Sequence, residues 1–300
     1  MMLINKLAIL GVGLIGGSLA RVLKREAACA TVIGFGRNEA NLKKAVELGV
    51  IDNYAMDAAE AVAGADVIVL ATPLMSTEGL LLSIRDCIKT GAIITDVGSA
   101  KGSVVDVARR TLTDEQLHNF VPGHPVAGTE QSGVEASFAG LFEKCLVILT
   151  PLPQSNGKSL DLIDKMWQCA GARVVIMDVS HHDDVLAATS HLPHMLAYAL
   201  VDCLAAMQER DELFRFAAGG FRDFSRIASS NPEMWHDICL SNRDSLLKVL
   251  ECFDTHLLQI KQAIEQGDSQ GLVEIFTRAK KARDEYTETY GTVTNINAIE

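Results

Sequence analysis

The sequence predicts an α/β domain over residues 1–179 followed by an all-α domain over residues 180–300. Three observations carry that division. Short apolar runs alternate with amphipathic stretches as far as about residue 178. A glycine-rich turn joins the first run to the first amphipathic stretch. Beyond Ser180 the short runs stop and long helical periodicities take over. Strands that alternate with helices build a mostly parallel sheet covered on both faces.

The first run, Leu7–Leu10, leads directly into Gly11-Val12-Gly13-Leu14-Ile15-Gly16 and a helical pattern over Gly16–Lys24. A second run, Thr31–Phe35, ends about 20 residues later. A bare GxGxxG is weak, but strand, loop, helix and second strand together are the dinucleotide fingerprint of a Rossmann-type domain. Gly11 allows the tight turn, Gly13 lets a pyrophosphate approach the backbone, and Gly16 lets helix and strand pack closely. Leu14 and Ile15 open the helix, whose free N–H groups face the phosphates. The expected cofactor is NAD(P). The second strand closes on Gly36-Arg37, without the acid that an NAD-preferring site uses for the ribose 2′-hydroxyl. Glycine there removes repulsion of a 2′-phosphate and Arg37 can pair with one, which favours NADP over NAD. The competing reading is Arg37 stacked on adenine or turned to solvent.

Further strands are expected at Val67–Ala71, Ala92–Thr95, Phe120–Val121, Leu146–Leu149 and Val174–Met177, each short and bounded by Gly, Pro or Asp. Helical patterns cover Asn38–Leu48, Ser76–Cys87, Gly102–Thr111 and Ser159–Cys169; Gly49, Gly91 and Gly171 follow such stretches, where a left-handed cap is wanted. Thr72 and Pro73 lie past a strand end and are expected to line the cofactor cleft.

In the second domain, helices are expected over His182–Met207, Ser241–Glu265 and about Gly271–Tyr286. Ser180 reads as the cap of the first, with Asp183 and Asp184 near its positive end. The middle helix repeats apolar residues at Leu246, Leu250, Phe253, Leu257, Ile260 and Ile264, in steps of 4, 3, 4, 3 and 4. A homodimer paired through this domain is expected.

Composition narrows the function. With 27 Lys and Arg against 38 Asp and Glu, the net charge of -11 argues against nucleic acid or an anionic membrane as main partner. No apolar run is long enough for a membrane span. Leu7–Leu10 meets its glycine turn too soon for a signal peptide. The seven cysteines form no CxxC pair, so neither a disulfide framework nor a metal site is expected. They read as reduced, mostly buried thiols of a cytoplasmic protein. The chain ends soon after the last expected helix, which leaves no length for a C-terminal regulatory domain.

Four segments carry the chemistry: Thr95-Asp96-Val97-Gly98-Ser99-Ala100-Lys101; Pro122-Gly123-His124-Pro125-Val126-Ala127-Gly128-Thr129-Glu130-Gln131-Ser132-Gly133; Ser190-His191-Leu192-Pro193-His194; and Gly219-Gly220-Phe221-Arg222-Asp223-Phe224-Ser225-Arg226-Ile227-Ala228, with Pro232-Glu233-Met234-Trp235 beyond. Together they resemble the prephenate/arogenate (cyclohexadienyl) dehydrogenase family of tyrosine biosynthesis, over about residues 5–285. The GHPxxGTExSG run and the SHLPH and FRDxxRIA pair are specific to it.

The resemblance implies oxidation of a small anionic cyclohexadienyl substrate: hydride leaves C4 for the nicotinamide, the ring carboxylate leaves as CO2, and the ring becomes aromatic. No metal is needed. His124 matches the family's catalytic histidine, and a neutral imidazole suits that role near neutral pH. Ser99 is similar to the serine that bonds the same hydroxyl; a helix cap is its competing role. Arg226 matches the arginine that holds a substrate carboxylate, where a guanidinium offers bidentate geometry. By the same resemblance His194, with His191 in support, Glu130 and Trp235 fall to substrate binding, and Lys101 to the cofactor side. Two other readings compete. Another NADP-linked two-domain reductase, of β-hydroxyacid or imine reductase type, leaves the GHPxxGTE run unexplained. A non-catalytic cofactor-sensing protein leaves His124, Ser99 and Arg226 without a purpose.

Overall fold

The structure, a computed structural model, describes residues 2–129 and 131–290. The first half runs β1 (Ile4–Leu10), α1 (Leu14–Arg25), β2 (Cys29–Phe35), α2 (Glu39–Glu47), β3 (Asn53–Ala55), α3 (Ala58–Val62), β4 (Val67–Leu70), α4 (Thr77–Ile84), β5 (Ile93–Asp96), α5 (Gly102–Thr111), α6 (Asp114–His118) and β6 (Phe120–Val121). The strands form one parallel sheet in the order β3-β2-β1-β4-β5-β6. This is the doubly wound order of a dinucleotide-binding domain, with the reversal between β1 and β4 at the glycine loop. Burial of β1 on both faces explains its unbroken apolar run. Leu7 and Ile9 join the core under α1, while Ala8 and Leu10 point into the core under α4 and α5.

A second small sheet holds β7 (Gly123–Val126), β8 (Leu146–Leu149) and β9 (Arg173–Ile176), with α7 (Gly157–Cys169) leading into β9. β7 is antiparallel to β8, and β8 is parallel to β9. Neither β3 nor β7 is foreseen from the sequence. β3 has no apolar run, and β7 carries Gly123 and Pro125, which read as loop. Proline is tolerated because β7 is an edge strand of its sheet.

From residue 179 onward the described residues are helical or irregular. They comprise α8 (Val179–Leu186), a π-helical turn (Ala187–His191), α9 (Leu192–Ala205), α10 (Arg210–Arg215), α11 (Gly219–Ser225), α12 (Pro232–Ser241), α13 (Arg243–Gln266) and α14 (Ser269–Tyr290). The single long helix expected over 182–207 is thus broken by a π turn, a feature that often marks functional sites. Ser180 does not cap it. α8 begins at Val179, the N-cap position is Asp178, and no side chain caps it. α10, α11 and α12 are too short to show a clear apolar period.

One further expectation needs correction. Of the seven cysteines only Cys29 and Cys145 are buried, and Cys87, Cys203 and Cys252 are exposed. Cys87 ends a short 3₁₀ turn after α4, and Cys203 and Cys252 lie on outward faces of α9 and α13. The α13 seam is only partly covered within one chain: Leu246 is buried, whereas Leu257 and Ile264 are 51% and 63% exposed. Among the described residues, no helix is long and apolar enough to cross a membrane.

Candidate active site

The glycine loop has the geometry of a phosphate cradle. Gly11 has φ +110°, and a Cβ there would lie 2.3 Å from the carbonyl oxygen of Ala71. Gly16 is as constrained, since its Cβ would fall 2.2 Å from the carbonyl oxygen of Gly11. At Gly13 a Cβ would meet nothing within 4 Å. The loop is therefore tight where it packs and open where a ligand approaches. Gly13 is also the N-cap of α1, with no capping side chain and no acid in the first turn. Helix N–H groups are left for an anion, and Leu14 and Ile15 stand half-buried beside it. These residues fit a dinucleotide.

The rim of this cleft is formed by neighbouring strand ends. Thr72 follows β4 with its hydroxyl buried and unpartnered among the described residues, and Pro73 is exposed. Gly36 follows β2, where a Cβ would touch only Leu42 at 3.6 Å. Arg37 is exposed. Asn38 caps α2 by accepting from the Asn41 N–H, and Asn41 donates to the Val12 carbonyl at 2.8 Å, which ties α2 to the loop.

His124 lies on β7, facing the carboxyl end of β5. Its position rests on Asp96 and Lys101. Asp96 accepts from the N–H groups of Gly98 and Gly123, and the Lys101 ammonium pairs with Asp96 and donates to the Gly123 carbonyl at 2.6 Å. Gly123 is thus held at both its N–H and its C=O, immediately before the histidine. Lys101 is 0% exposed. Its assignment to the cofactor is corrected here: the long side chain turns inward to neutralise Asp96, and burial lowers its pKa against the raising effect of that carboxylate.

Behind His124 stands a pair of residues, His182 and Asp183, that read from the sequence first as part of a helix start. His182 Nε2 lies 2.9 Å from His124 Nδ1, and His182 Nδ1 lies 2.8 Å from the Asp183 carboxylate. A carboxylate only accepts, so a neutral His182 ring carries its proton on Nδ1 and accepts at Nε2. His124 must then donate from Nδ1, which leaves the lone pair on its Nε2. Burial, then His182, Lys101 and His191, push the His124 pKa well below 6.5, so the ring is neutral at physiological pH. Burial alone would raise the Asp183 pKa, but bonds from His182 and from the Lys101 and Gly102 N–H groups bring it below the usual carboxylate value. The last two bonds cap the start of α5, whose N-cap residue Lys101 makes no side-chain cap of its own. Ser99 is half-buried on the same loop and is not the cap of that helix.

The remaining candidates come from the helical domain. His194 donates from Nδ1 to the Ser190 carbonyl and stacks on Trp235 with ring centroids 3.8 Å apart. His191 is buried, meets Trp235 edge-on, and has its pKa pulled down to about 4 by burial. Arg226 begins the short 3₁₀ turn Arg226–Ser229 and is near enough to His194 to lower its pKa, after the larger effect of burial. α12, which carries Trp235, docks beside β4: Asp237 accepts from the Met75 N–H at 3.2 Å. Cleft and helices therefore share one boundary. Glu130 lies outside the described residues. Among the described residues no cluster of His, Cys, Asp or Glu is arranged to hold a metal ion.

Comparison with known proteins identifies the family and its relatives. The family described as prephenate dehydrogenase, nucleotide-binding domain, matches residues 19–176, and that described as prephenate dehydrogenase, dimerization domain, matches residues 178–278. The cyclohexadienyl dehydrogenase of Zymomonas mobilis is 38% identical over 285 residues, covering 94% of this chain and 96% of its own. The prephenate dehydrogenase of Bacillus subtilis is 37% identical, covering 91% of this chain and 74% of its own. The crystal structure of prephenate dehydrogenase from A. aeolicus, in complex with hydroxyphenyl propionate and NAD+, superimposes with a TM-score of 0.86 at 36% identity, covering 94% of this chain and 98% of its own. Sequence motifs, parallel-sheet order, helical second half and relatives agree: the chain belongs to the prephenate dehydrogenase family.

Proposed function

We propose that this chain oxidatively decarboxylates prephenate, arogenate or both, giving 4-hydroxyphenylpyruvate or tyrosine, in tyrosine biosynthesis. The observation that carries this reading is the relay Asp183–His182–His124, which leaves a buried, neutral imidazole with its Nε2 lone pair unused by the relay. A nicotinamide cofactor, bound over the glycine loop, supplies the acceptor for the hydride from C4. His124 takes the C4 hydroxyl proton as that carbon is oxidised, and returns it to the ring oxygen as the carboxylate departs and the ring becomes aromatic. The proton balance closes without water or metal. Ser99, on the adjacent loop, is assigned the second hydrogen bond to that hydroxyl.

Arg226, His194 and His191 are assigned to the substrate's anionic end, with Trp235 fixing the His194 ring by stacking and Glu130 assigned with them from the motif. Gly11, Gly13, Leu14, Ile15, Gly16, Thr72 and Pro73 are assigned to the dinucleotide. Gly36 and Arg37 support NADP over NAD, because no acid opposes a 2′-phosphate there. The boundary near residue 179 separates a cofactor domain from a substrate and dimerisation domain. A homodimer is supported by the matched dimerization domain and by the open α13 seam. Free thiols throughout suit the cytoplasm.

The test is turnover of prephenate and of arogenate with each oxidised cofactor, followed by absorbance of reduced nicotinamide and by CO2 release. His124→Asn should lower kcat by about 10²- to 10⁴-fold, the usual worth of a positioned base, with the cofactor Kd unchanged. Cofactor binding without turnover of either substrate would sink the reading.

A further inference from the structure

Asn242 lies outside every motif that the sequence brings forward, yet it is only 4% exposed and links the α12–α13 junction to α8 and the π turn. It stands between α12 and α13. Its amide nitrogen donates to the backbone carbonyl of Asp183 at 2.8 Å and lies 3.2 Å from His191 Nδ1. A carbonyl only accepts, so the Asp183 contact determines which end of the Asn242 amide faces both groups. The amide has two hydrogens and can make both bonds at once. His191 Nδ1 therefore accepts, and the proton of this neutral ring sits on Nε2.

That Nε2–H is the unusual group. It is buried and has no hydrogen-bond partner among the described residues. A buried donor left unpaired destabilises the fold, a cost that a ligand oxygen would remove. The ring packs edge-on against Trp235 and is near enough to the proposed base to be the weakest of the named causes that lower the His124 pKa. Its low pKa of about 4 keeps it an uncharged donor across the working range.

We propose that Asn242 is a positioning residue that locks His191 in the Nε2–H tautomer, and that this N–H is held for an oxygen atom of the bound substrate. The second half rests on the substrate reading above; the first does not. Asn242 acts on the tautomer alone and touches no substrate.

The experiment uses full-chain protein labelled with ¹⁵N-histidine. Long-range ¹H–¹⁵N spectra near neutral pH report which ring nitrogen bears the proton, and the His191 signals are identified by their loss in His191→Gln. The expected result is a protonated Nε2 and a bare Nδ1. In Asn242→Asp a carboxylate faces Nδ1 and draws a proton there. The spectrum should change accordingly, and kcat/KM should fall at least tenfold with the cofactor Kd unchanged. His191→Gln, which places an amide nitrogen where Nε2 was, should keep more turnover than His191→Asn, whose amide nitrogen falls nearer Nδ1. This pair and the wild-type spectrum decide the matter even if Asn242→Asp does not fold. A wild-type Nδ1–H tautomer overturns the lock. Equal turnover of the two His191 variants overturns the donor role. Wild-type protein that turns over neither substrate defeats the substrate reading, while the spectra still judge the lock.

Discussion

His124 owes its proposed reactivity to its surroundings. An imidazole on a surface loop rotates and titrates near pH 6.5. Here His182 and Asp183 set its tautomer, and Asp96 and Lys101 set the backbone that carries it. Replacing His182 by Ala leaves the His124 Nδ1–H without its acceptor. We expect kcat to fall about 10- to 100-fold, as for other supporting residues behind a catalytic ring. The pH profile gives a second readout. A base must be neutral, so activity is lost as pH falls through its pKa; burial and His182 hold that pKa well below 6.5. The acid limb of wild-type kcat/KM should therefore lie below 6.5, and in His182→Ala, where the lost ring relieves the burial that is the largest cause, it should move up toward that value. An unmoved limb would exclude His182 as the ring's neighbour in function. At the cofactor end, Gly36→Asp has room, since the nearest atom to a Cβ is 3.6 Å away. The new carboxylate should weaken NADP+ binding at least tenfold, or about 1.4 kcal/mol, with NAD+ spared; titration of both cofactors checks it.

Among the elements, the glycine loop and its helix show how packing and binding demands separate within six residues. Gly16→Ala drives a methyl group into the Gly11 carbonyl and the Ile9 side chain, at 2.2 and 2.8 Å. It should destabilise the protein by about 1–3 kcal/mol through overpacking, seen as a lower Tm without cofactor. Gly13→Ala meets no atom, and Gly13 has φ -105°, which alanine adopts freely. Its Tm should stay unchanged while the cofactor Kd rises at least tenfold, because the methyl occupies space open to phosphate. If both variants behave alike, the cradle is misassigned. α5 shows the same economy between distant elements: its N-terminus is capped by Asp183 of α8, the carboxylate that also orients His182. The strand–helix order of the first domain is legible from local pattern because burial on both faces leaves unbroken apolar runs. β7 is not, since Gly123 and Pro125 become strand only by pairing with β8.

At the scale of the whole molecule, α13 leaves an open apolar face. Leu257, Leu258 and Ile264 are each more than half exposed in a single chain. Burying such side chains is worth about 1.5–3 kcal/mol each, which points to a covering partner. Ile264→Glu should halve the mass measured by light scattering, with far-ultraviolet circular dichroism retained. An unchanged mass would place the dimer contact elsewhere.

What the sequence by itself determined is whatever depends on neighbours along the chain. That includes the glycine loop after β1, the strand–helix alternation, the amphipathic period of α13, and the motif containing His124. Only the tertiary structure decided which side chains cooperate. Lys101 reads as an available cation, but the fold turns it onto Asp96. His182 and Asp183 read as a polar helix start, but the fold sets them behind His124, 58 residues away for the His182 contact. Asn242 carries no local signal at all. A hydrogen bond across such distances depends on the packing of α8 against α5 and of α13 against α8. No local propensity encodes it, because the partner residue is absent from the sequence window in which propensity acts.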